Sequence, residues 1–526
     1  MKITLAYPPH TLGNLTPEQR VCVLGVGESG MAIAKWVKLQ GVVVDVYDTR
    51  AIDKIPDRLK AHIHELESFE VSVHMGSSFE HIDMAGFALL AMSPGISPLD
   101  PSVAELLARA KINDVPIWGE LEFFSKAILA LKETKGYAPK VIAITGTNGK
   151  TTTTALTGTI ASKAGKTVAV AGNIRPSLLD TLRSCLEKDL LPEIWVLELS
   201  SYQLYYSDSF DPDVSTVLNI TEDHLDWHGE MAHYQAAKKK IFGPHTIAVL
   251  NRDDKSVMAM IEEHDPRRVI SFGVDTPLMA DSFGIVGDIH GGIDWLAWAE
   301  PSEHVGSKQK RRANTPAHSE ELLQVKRLIP TQALLIKGRH NATNALAALA
   351  LCQAIELNMA ALLHGLRDYQ GEPHRVQSVA VINDVEYIDD SKGTNVGATM
   401  AALKGLGFGQ VQPNIILIAG GDGKGQDFEP LQDAVISYVK AIYLIGKDAK
   451  RIELALQHSG VPMTHVPTLE EAVFQSAKAA KLGDQVLLSP ACASLDMFTD
   501  YVHRAQVFTQ AVQELAFVSQ TTGVEI

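Results

Sequence analysis

The segment Val141-Ile-Ala-Ile-Thr-Gly-Thr-Asn-Gly-Lys-Thr-Thr-Thr-Thr154 limits the architecture of this chain more than any other. A β-branched apolar run enters a glycine turn, and a helical segment begins at Lys150-Thr151. A buried strand, a tight loop and a helix satisfy that order, which is the unit of a parallel α/β sheet. Glycine N–H groups at such a helix start can cradle phosphate oxygens. Lys150 would bring its ammonium to the β- and γ-phosphates, and the Thr151 hydroxyl would ligate Mg²⁺. The usual phosphate loop has four residues between its glycines. Gly146 and Gly149 have two between them, so this is a shorter variant.

A second nucleotide signal lies upstream. VCVLGVGESGMAIAKWVKLQG followed by VVVDVYDTR predicts a βαβ unit with Gly25-x-Gly27-x-x-Gly30, and Asp48 stands about 20 residues on, where a ribose-binding acid would sit. The glycines alone do not separate NAD from another nucleotide, nor a nucleotide site from a tight strand-to-helix turn. FALLAMSPGI predicts a strand ending in a Pro-Gly turn. Residues 111–135 are expected to be helical, with a linker at 136–140. The central α/β unit then runs to about Gln370 through VAVAGN, IWVLELSS, VSTVLNIT and TIAVLN. Residues 301–330 include SKQKRRANTP, lack a clear period and are expected to form a solvated insertion. From about Pro373, NIILIAGG, AIYLIG and QVLLSPA alternate with helical stretches, again a parallel-sheet pattern. The expected domains are 1–137, 138–371 and 372–526.

Composition removes several classes. A chain of 526 residues suggests three or four domains. Its 47 Lys plus Arg against 62 Asp plus Glu give −15, which argues against a general nucleic-acid binder. Its four cysteines are far apart and lack CxxC spacing, so neither a disulfide framework nor a zinc module is expected, and a reducing cytosol fits. The opening residues carry prolines where a secretory peptide needs an apolar run, and no apolar stretch approaches the roughly 20 residues that span a bilayer. No membrane insertion is expected. The oligomeric state stays open, a monomer included.

Candidate metal ligands follow the central loop. Glu198 ends the apolar run IWVLE, where a buried carboxylate needs a partner or a metal. His224 follows a strand in VLNITEDH; a histidine in that setting is by itself no proof of a ligand. Lys238 leads three adjacent lysines and is placed to point inward, while Lys239 and Lys240 are expected to be solvated.

Four motifs together resemble the Mur ligases, ATP-dependent amide-forming enzymes of peptidoglycan precursor synthesis. They are Thr145-Gly-Thr-Asn-Gly-Lys-Thr151, Glu198-Leu-Ser-Ser201, Asn219-Ile-Thr-Glu-Asp-His224 and Gly338-Arg-His-Asn-Ala-Thr-Asn344. The spelling of Asp389-Asp-Ser-Lys-Gly-Thr-Asn395, Gly420-Gly-Asp-Gly-Lys-Gly425 and Ser489-Pro-Ala-Cys-Ala-Ser-Leu-Asp496 resembles the branch that adds D-glutamate. The resemblance implies three α/β domains: a Rossmann-like N-terminal domain, a central P-loop-type ATPase domain and a Rossmann-like C-terminal domain. It implies a bacterial cytoplasmic ligase that joins D-glutamate to UDP-N-acetylmuramoyl-L-alanine through an acyl phosphate, using ATP and two Mg²⁺ ions.

Residue roles follow from the same resemblance. Gly146, Thr147, Asn148, Gly149, Lys150, Thr151 and Thr152 would hold ATP, with Asn341 at adenine, Asp390 at the ribose, and Arg375 and Lys392 at the phosphates. Thr151, Glu198 and His224 would hold Mg²⁺ together with Lys238 as a CO₂-derived carbamate; Lys150, Glu198, His224 and Lys238 form the catalytic set. Ser29 would face the diphosphate of the UDP substrate and Asp48, Thr49 and Arg50 its uracil end, with Ser93 and Gly95 in a second loop. Asn173 and Gln203 would face the muramoyl-alanine. Thr394, Lys424, Ser494, Leu495 and Tyr501 would surround D-glutamate, Tyr501 through its backbone. Glu28 stands where an apolar residue is usual; a carboxylate repels a diphosphate, so its side chain is expected to point away.

Overall fold

The computed structural model describes residues 15–262, 264–287, 292–301, 323–336, 338–407, 410 and 412–522. Three sheets organise them. The first has the order Ser72–Met75, Val43–Asp48, Arg20–Leu24, Leu89–Met92, Ile117–Gly119, parallel throughout. Strand order reverses beside Arg20–Leu24, and ligands of doubly wound sheets bind at the carboxyl ends flanking such a reversal. Val21 to Leu24 and Leu90 to Met92 are wholly buried, which explains why continuous apolar runs rather than alternation encode these strands.

The second sheet has nine strands, and its centre is Lys140–Thr145 between Ile194–Glu198 and Val214–Val217, all parallel. Val168–Gly172 closes one edge, and Ile247–Asn251, Val269–Phe272, Ser282–Gly287, Asp294–Pro301 and Leu323–Pro330 extend the other. The third sheet runs Gln377–Ile382, Val385–Asp389, Gln485–Leu488, Ile415–Gly420, Val439–Ile445, Met463–His465, with only the first pair antiparallel.

The chain divides into two compact units, Met1–Ile329 with Asn344–Leu366, and Pro330–Thr343 with Arg367–Ile526. The first holds the first two sheets and the second holds the third.

Two expectations need correction. Residues 111–135 are not one helix: Pro101–Ile112 ends, Ile117–Gly119 forms an edge strand, and Glu120–Lys135 begins a new helix. Asp114 takes a left-handed φ of 54° and Pro116 has no N–H to donate, so a helix cannot continue through them. The expected insertion at 301–330 falls largely outside the described residues, but Leu323–Pro330 is an edge strand. Its outer residues stay exposed because an edge strand has one neighbour, which leaves little apolar pattern to read.

Among the described residues no helix is long and apolar enough to cross a membrane.

Candidate active site

The strand Lys140–Thr145 delivers the loop 146–149 at its carboxyl end, and the helix Lys150–Lys163 starts immediately after. Gly149 caps that helix with φ 82°, and a Cβ there would lie 2.7 Å from Asn344 Oδ1. Gly146 has φ 154°, and its Cβ would lie 2.9 Å from Leu218 Cβ. Side chains are excluded at both positions. The Asn148 N–H donates to Asn219 Oδ1 at 2.8 Å, and Asn219 Nδ2 donates to the Asn148 carbonyl at 3.0 Å. The Thr147 hydroxyl donates to the Thr221 carbonyl at 3.1 Å and accepts the Thr221 N–H at 3.0 Å. Asn219 therefore braces the phosphate loop, and Asn344 lies against Gly149. Both appear in the quoted motifs, yet sequence alone gave no sign of this pairing.

Lys150 Nζ donates to the Gly146 and Thr147 carbonyls, each at 2.8 Å, so its ammonium lies over the loop. Thr151 is half-buried in the first helical turn, and Thr152 is buried. A helix start with a lysine above it suits a polyphosphate.

Glu198, His224 and Lys238 gather around this loop. Glu198 is buried; its Oε1 accepts Asn173 Nδ2 at 3.1 Å, while its buried Oε2 has no hydrogen-bond partner among the described residues. An orphaned buried carboxylate oxygen fits a cation. Asn173 also donates its N–H to the Glu198 carbonyl at 2.7 Å, so it orients this acid from both groups. His224 has φ 56° and its Nδ1 lies 2.6 Å from Tyr202 Oη. Burial holds its imidazole below the ordinary pKa; Asp223 opposes that shift, and Lys150 and Lys238 reinforce it. A neutral imidazole is the form that ligates metals. Lys238 is buried, and its Nζ donates to Thr145 Oγ1 at 3.1 Å and the Gly146 carbonyl at 2.9 Å. Burial and the Lys150 charge drive its pKa well below the lysine range, against Asp223 and Glu198. Among the described residues no three His, Cys, Asp or Glu side chains cluster as a metal set. A centre here would draw on Thr151 and a modified lysine as well as Glu198 and His224, and such a mixed oxygen-rich set suits Mg²⁺.

Lys239 is exposed as expected, but Lys240 is not simply solvated. It donates to the Tyr205 and Ser207 carbonyls and pairs with Asp208 at 2.7 Å. Gln203 is buried, and its Oε1 accepts the Ser200 N–H in a capping box for the helix Ser201–Tyr205.

In the first sheet, Gly25, Gly27 and Gly30 lie at the carboxyl end of Arg20–Leu24, beside Ser93 at the end of Leu89–Met92. A Cβ on Gly30 would lie 1.9 Å from the Gly25 carbonyl, whereas one on Gly27 or Gly95 would meet nothing within 4 Å. Gly30 thus serves packing, and Gly27 borders open space. Ser93 Oγ braces the loop by donating to the Gly25 carbonyl at 3.4 Å. Ser29 Oγ donates to Glu120 Oε2 at 2.7 Å. Asp48 is saturated within the protein: it accepts the Val26 N–H at 3.1 Å and the Arg50 N–H at 3.0 Å, and it pairs with the Arg50 guanidinium at 2.6 Å. Burial raises its carboxyl, but the Arg50 donors and the Val26 N–H outweigh that and hold it below the usual range. Thr49 and Arg50 remain exposed. Glu28 does not simply point to solvent: its Oε1 lies 2.8 Å from Arg175 Nε, because a guanidinium is within reach to neutralise it.

In the second unit, the three motif loops leave adjacent strands at their carboxyl ends, after Asp389, Leu488 and Gly420. Gly421 is required, since its Cβ would lie 2.3 Å from the Ala493 carbonyl. Asp390 is buried, and its Oδ2 accepts the Ser489 hydroxyl at 2.7 Å. Lys392 Nζ sits 4.0 Å from the centre of the Tyr501 ring, so the ring is a cation platform and not a bystander to its own backbone. Lys424 is exposed with φ 49°. Ser494 is buried, while Leu495 is 70% exposed. Thr394 and Arg375 are half-buried; Arg375 contributes to the field at Asp390. Asn341, also in this unit, is buried at the start of the helix Arg339–Ala354. A residue the sequence did not single out, Arg504, is wholly buried and donates to the Ser391 carbonyl at 2.8 Å and the Cys492 carbonyl at 3.2 Å. It clamps two of the three loops.

Residues 19–117 match the Mur ligase MurD-like, N-terminal domain, residues 144–352 the Mur ligase middle domain, and residues 374–492 the Mur ligase, glutamate ligase domain. The chain is 53% identical over 499 residues to the UDP-N-acetylmuramoylalanine--D-glutamate ligase of Ralstonia nicotianae, covering 94% of this chain and 97% of that one. It is 50% identical over 511 residues to the ligase of the same name from Burkholderia thailandensis, covering 95% and 98%. Among solved structures, the MurF ligase of Thermotoga maritima in complex with ADP aligns over 98% of this chain and 100% of that chain, with a TM-score of 0.55 at 15% identity, a likeness of fold.

Proposed function

The chain belongs to the Mur ligase family, and from that premise we propose that it joins D-glutamate to UDP-N-acetylmuramoyl-L-alanine with ATP in peptidoglycan precursor synthesis. The observation that carries this reading is 53% identity across nearly the whole length of a D-glutamate ligase. The terminal carboxylate of the UDP substrate attacks the γ-phosphorus of ATP, ADP leaves, and an acyl phosphate forms. The amine of D-glutamate then attacks the acyl carbon through a tetrahedral intermediate and expels phosphate. A free carboxylate is a poor electrophile, so phosphorylation supplies the leaving group.

The protein's part is positioning and charge. The first-turn N–H groups after Gly149 and the Lys150 ammonium would hold the β- and γ-phosphates as two anions approach. Bound Mg²⁺, held by Thr151, Glu198, His224 and a carbamate on Lys238, would neutralise further phosphate charge. A buried amine with a depressed pKa stays neutral and can take up CO₂, which turns a cation into an anion suited to that centre. Asn173 keeps one Glu198 oxygen occupied and leaves the other for the metal. We assign Asn341, Asp390, Arg375 and Lys392 to ATP and Thr394, Lys424, Ser494, Leu495 and Tyr501 to D-glutamate. A dicarboxylate needs cations and N–H donors at both ends. The first-sheet residues Ser29, Thr49, Arg50 and Gly95 are assigned to the UDP moiety, with Asp48 and Ser93 holding their loops in shape. We place the enzyme in the bacterial cytoplasm.

The deciding experiment is phosphate release with UDP-N-acetylmuramoyl-L-alanine and a panel of amino acids. D-Glutamate should support it. Equal rates with L-glutamate, L-alanine or meso-diaminopimelate would overturn the assignment.

A further inference from the structure

Glu28 places a carboxylate in the loop assigned above to the UDP diphosphate. It is the first residue of the helix Glu28–Leu39, whose cap residue Gly27 offers no side-chain acceptor. The first-turn N–H groups of a helix have no internal acceptor and attract anions. Glu28 also holds Arg175, with Nε 2.8 Å from Oε1. A helix start and a guanidinium are the two groups proteins most often turn toward a phosphate. The Glu28 carboxylate holds that guanidinium at the start of the helix, next to the open space over Gly27. Neither side chain is needed to fill the core, for Glu28 is 44% exposed and Arg175 69%.

The backbone that carries Arg175 is fixed on both sides. At its start, Asn173 is tied to Glu198 through its N–H at 2.7 Å and its side-chain amide at 3.1 Å. Beyond it, the Leu179 N–H donates to Glu120 Oε1 at 3.0 Å, and the other oxygen of Glu120 accepts Ser29 Oγ at 2.7 Å. Glu120 is 1% exposed, so this tie is inside the protein. The loop bearing Arg175 is thereby pinned to Ser29, the neighbour of Glu28. The guanidinium can swing between partners while its backbone stays in place.

We propose that Glu28 is a stand-in anion and that Arg175 is a ligand for the diphosphate of the UDP substrate. On binding, the diphosphate takes the guanidinium, and the Glu28 carboxylate turns out to solvent. The exchange rests on the reading that the first sheet binds the UDP substrate. It resolves how a carboxylate is tolerated beside a diphosphate: the same residue that would repel the ligand keeps its arginine placed until the ligand arrives.

The test is a double-mutant cycle on the full chain, read as the Kd for UDP-N-acetylmuramoyl-L-alanine by calorimetry without ATP. Arg175→Ala should weaken binding about tenfold, and Glu28→Gln should tighten it about threefold by removing the competitor and its repulsion. In the Arg175→Ala background most of the Glu28→Gln gain should vanish, because there is no guanidinium left to release. UMP, which lacks the second phosphate, should show a smaller loss with Arg175→Ala than UDP does. Thermal unfolding should be nearly unchanged in all variants, as both side chains are exposed. An Arg175→Ala Kd within twofold of wild type, or strictly additive effects in the cycle, overturns the exchange. Failure of folded wild-type protein to bind the UDP substrate at all overturns the underlying reading instead.

Discussion

Tyr202 Oη lies 2.6 Å from His224 Nδ1. With Nδ1–H donating to that oxygen, Nε2 keeps its lone pair for the proposed Mg²⁺, and the ring is aimed by a partner outside the proposed ligand set. Tyr202→Phe deletes one oxygen and keeps the ring that lies 4.7 Å from Trp227 and 5.7 Å from His228. The affinity for Mn²⁺ in the presence of ADP, followed by electron paramagnetic resonance, should fall about tenfold. The unfolding temperature should move little. An unchanged Mn²⁺ affinity would mean that the tyrosine does not orient His224.

Lys150→Ala should abolish turnover while the UDP substrate still binds. The lysine lies over the loop of the second sheet, whereas the proposed UDP residues lie at the ends of strands of the first. Calorimetry separates the two effects. Loss of UDP-substrate binding in a folded variant would contradict the division of labour between the sheets.

The sequence announced the sheets and phosphate loops well because both are local. Val141 to Thr145 is one buried apolar run, and glycines follow it directly. It also placed Glu198, His224 and Lys238 near one another through family resemblance. What it could not show was who holds whom across long separations. The Asn148–Asn219 pair spans 71 residues, Ser29–Glu120 spans 91 and the Arg504–Ser391 bond spans 113. No periodicity encodes such pairings. The Glu28–Arg175 pair escapes a sequence reading for the same reason, since the two residues are distant in the chain. Asp48 reads as a ligand-binding acid by spacing, yet Arg50 and the Val26 N–H occupy its oxygens.

Lys424 combines an exposed cation with a left-handed backbone at φ 49°. An L-residue there is strained, and glycine is not. Lys424→Ala and Lys424→Gly should both raise the KM for D-glutamate and lower kcat, since each removes the cation. Lys424→Gly should be the more stable of the two by up to about 1 kcal/mol. Steady-state kinetics and thermal unfolding on the pair check both statements. A normal D-glutamate KM in either variant would remove Lys424 from the site.

Burial pushes the Asp390 carboxyl up to about 7, although the Ser489 hydroxyl and Arg375 pull the other way. In the unfolded chain the same group loses its proton near pH 3.9. Between those values the folded protein binds more proton, so this residue's contribution to stability declines as pH rises from about 4 to about 7 and is level beyond. Asp390→Asn removes that dependence. Relative to wild type, the variant should be more stable at pH 8 than at pH 5, by on the order of 1–3 kcal/mol. Unfolding of both proteins at the two pH values measures the difference, and equal differences would show that Asp390 ionises freely in the folded state.

Lys238 carries the most demanding prediction. Its amine is buried, donates only to Thr145 Oγ1 and the Gly146 carbonyl among its described hydrogen bonds, and has no described ion pair with a carboxylate. An ammonium there would face Lys150 and repel Mg²⁺, while a carbamate would attract the metal. Carbamylation joins the neutral amine to the carbon of CO₂ and releases one proton, so it needs no oxidant or other reactant. Activity should therefore fall when the enzyme is prepared free of CO₂ and return with bicarbonate. Lys238→Ala should lose about 10²–10³ in kcat, the cost of removing a group that offsets charge in the transition state. Short carboxylic acids should partly restore it by entering the space the side chain left. Lys238→Arg should stay inactive, because guanidinium keeps its charge and is not carbamylated readily. Lys239 is the proper control, being exposed on the same helix Met231–Lys239. Lys240 is not, since its bonds to the Tyr205 and Ser207 carbonyls and to Asp208 give Lys240→Ala a structural effect of its own. Full activity in Lys238→Ala without added carboxylate, with loss in Lys239→Ala, would show that the anion at this centre comes from elsewhere.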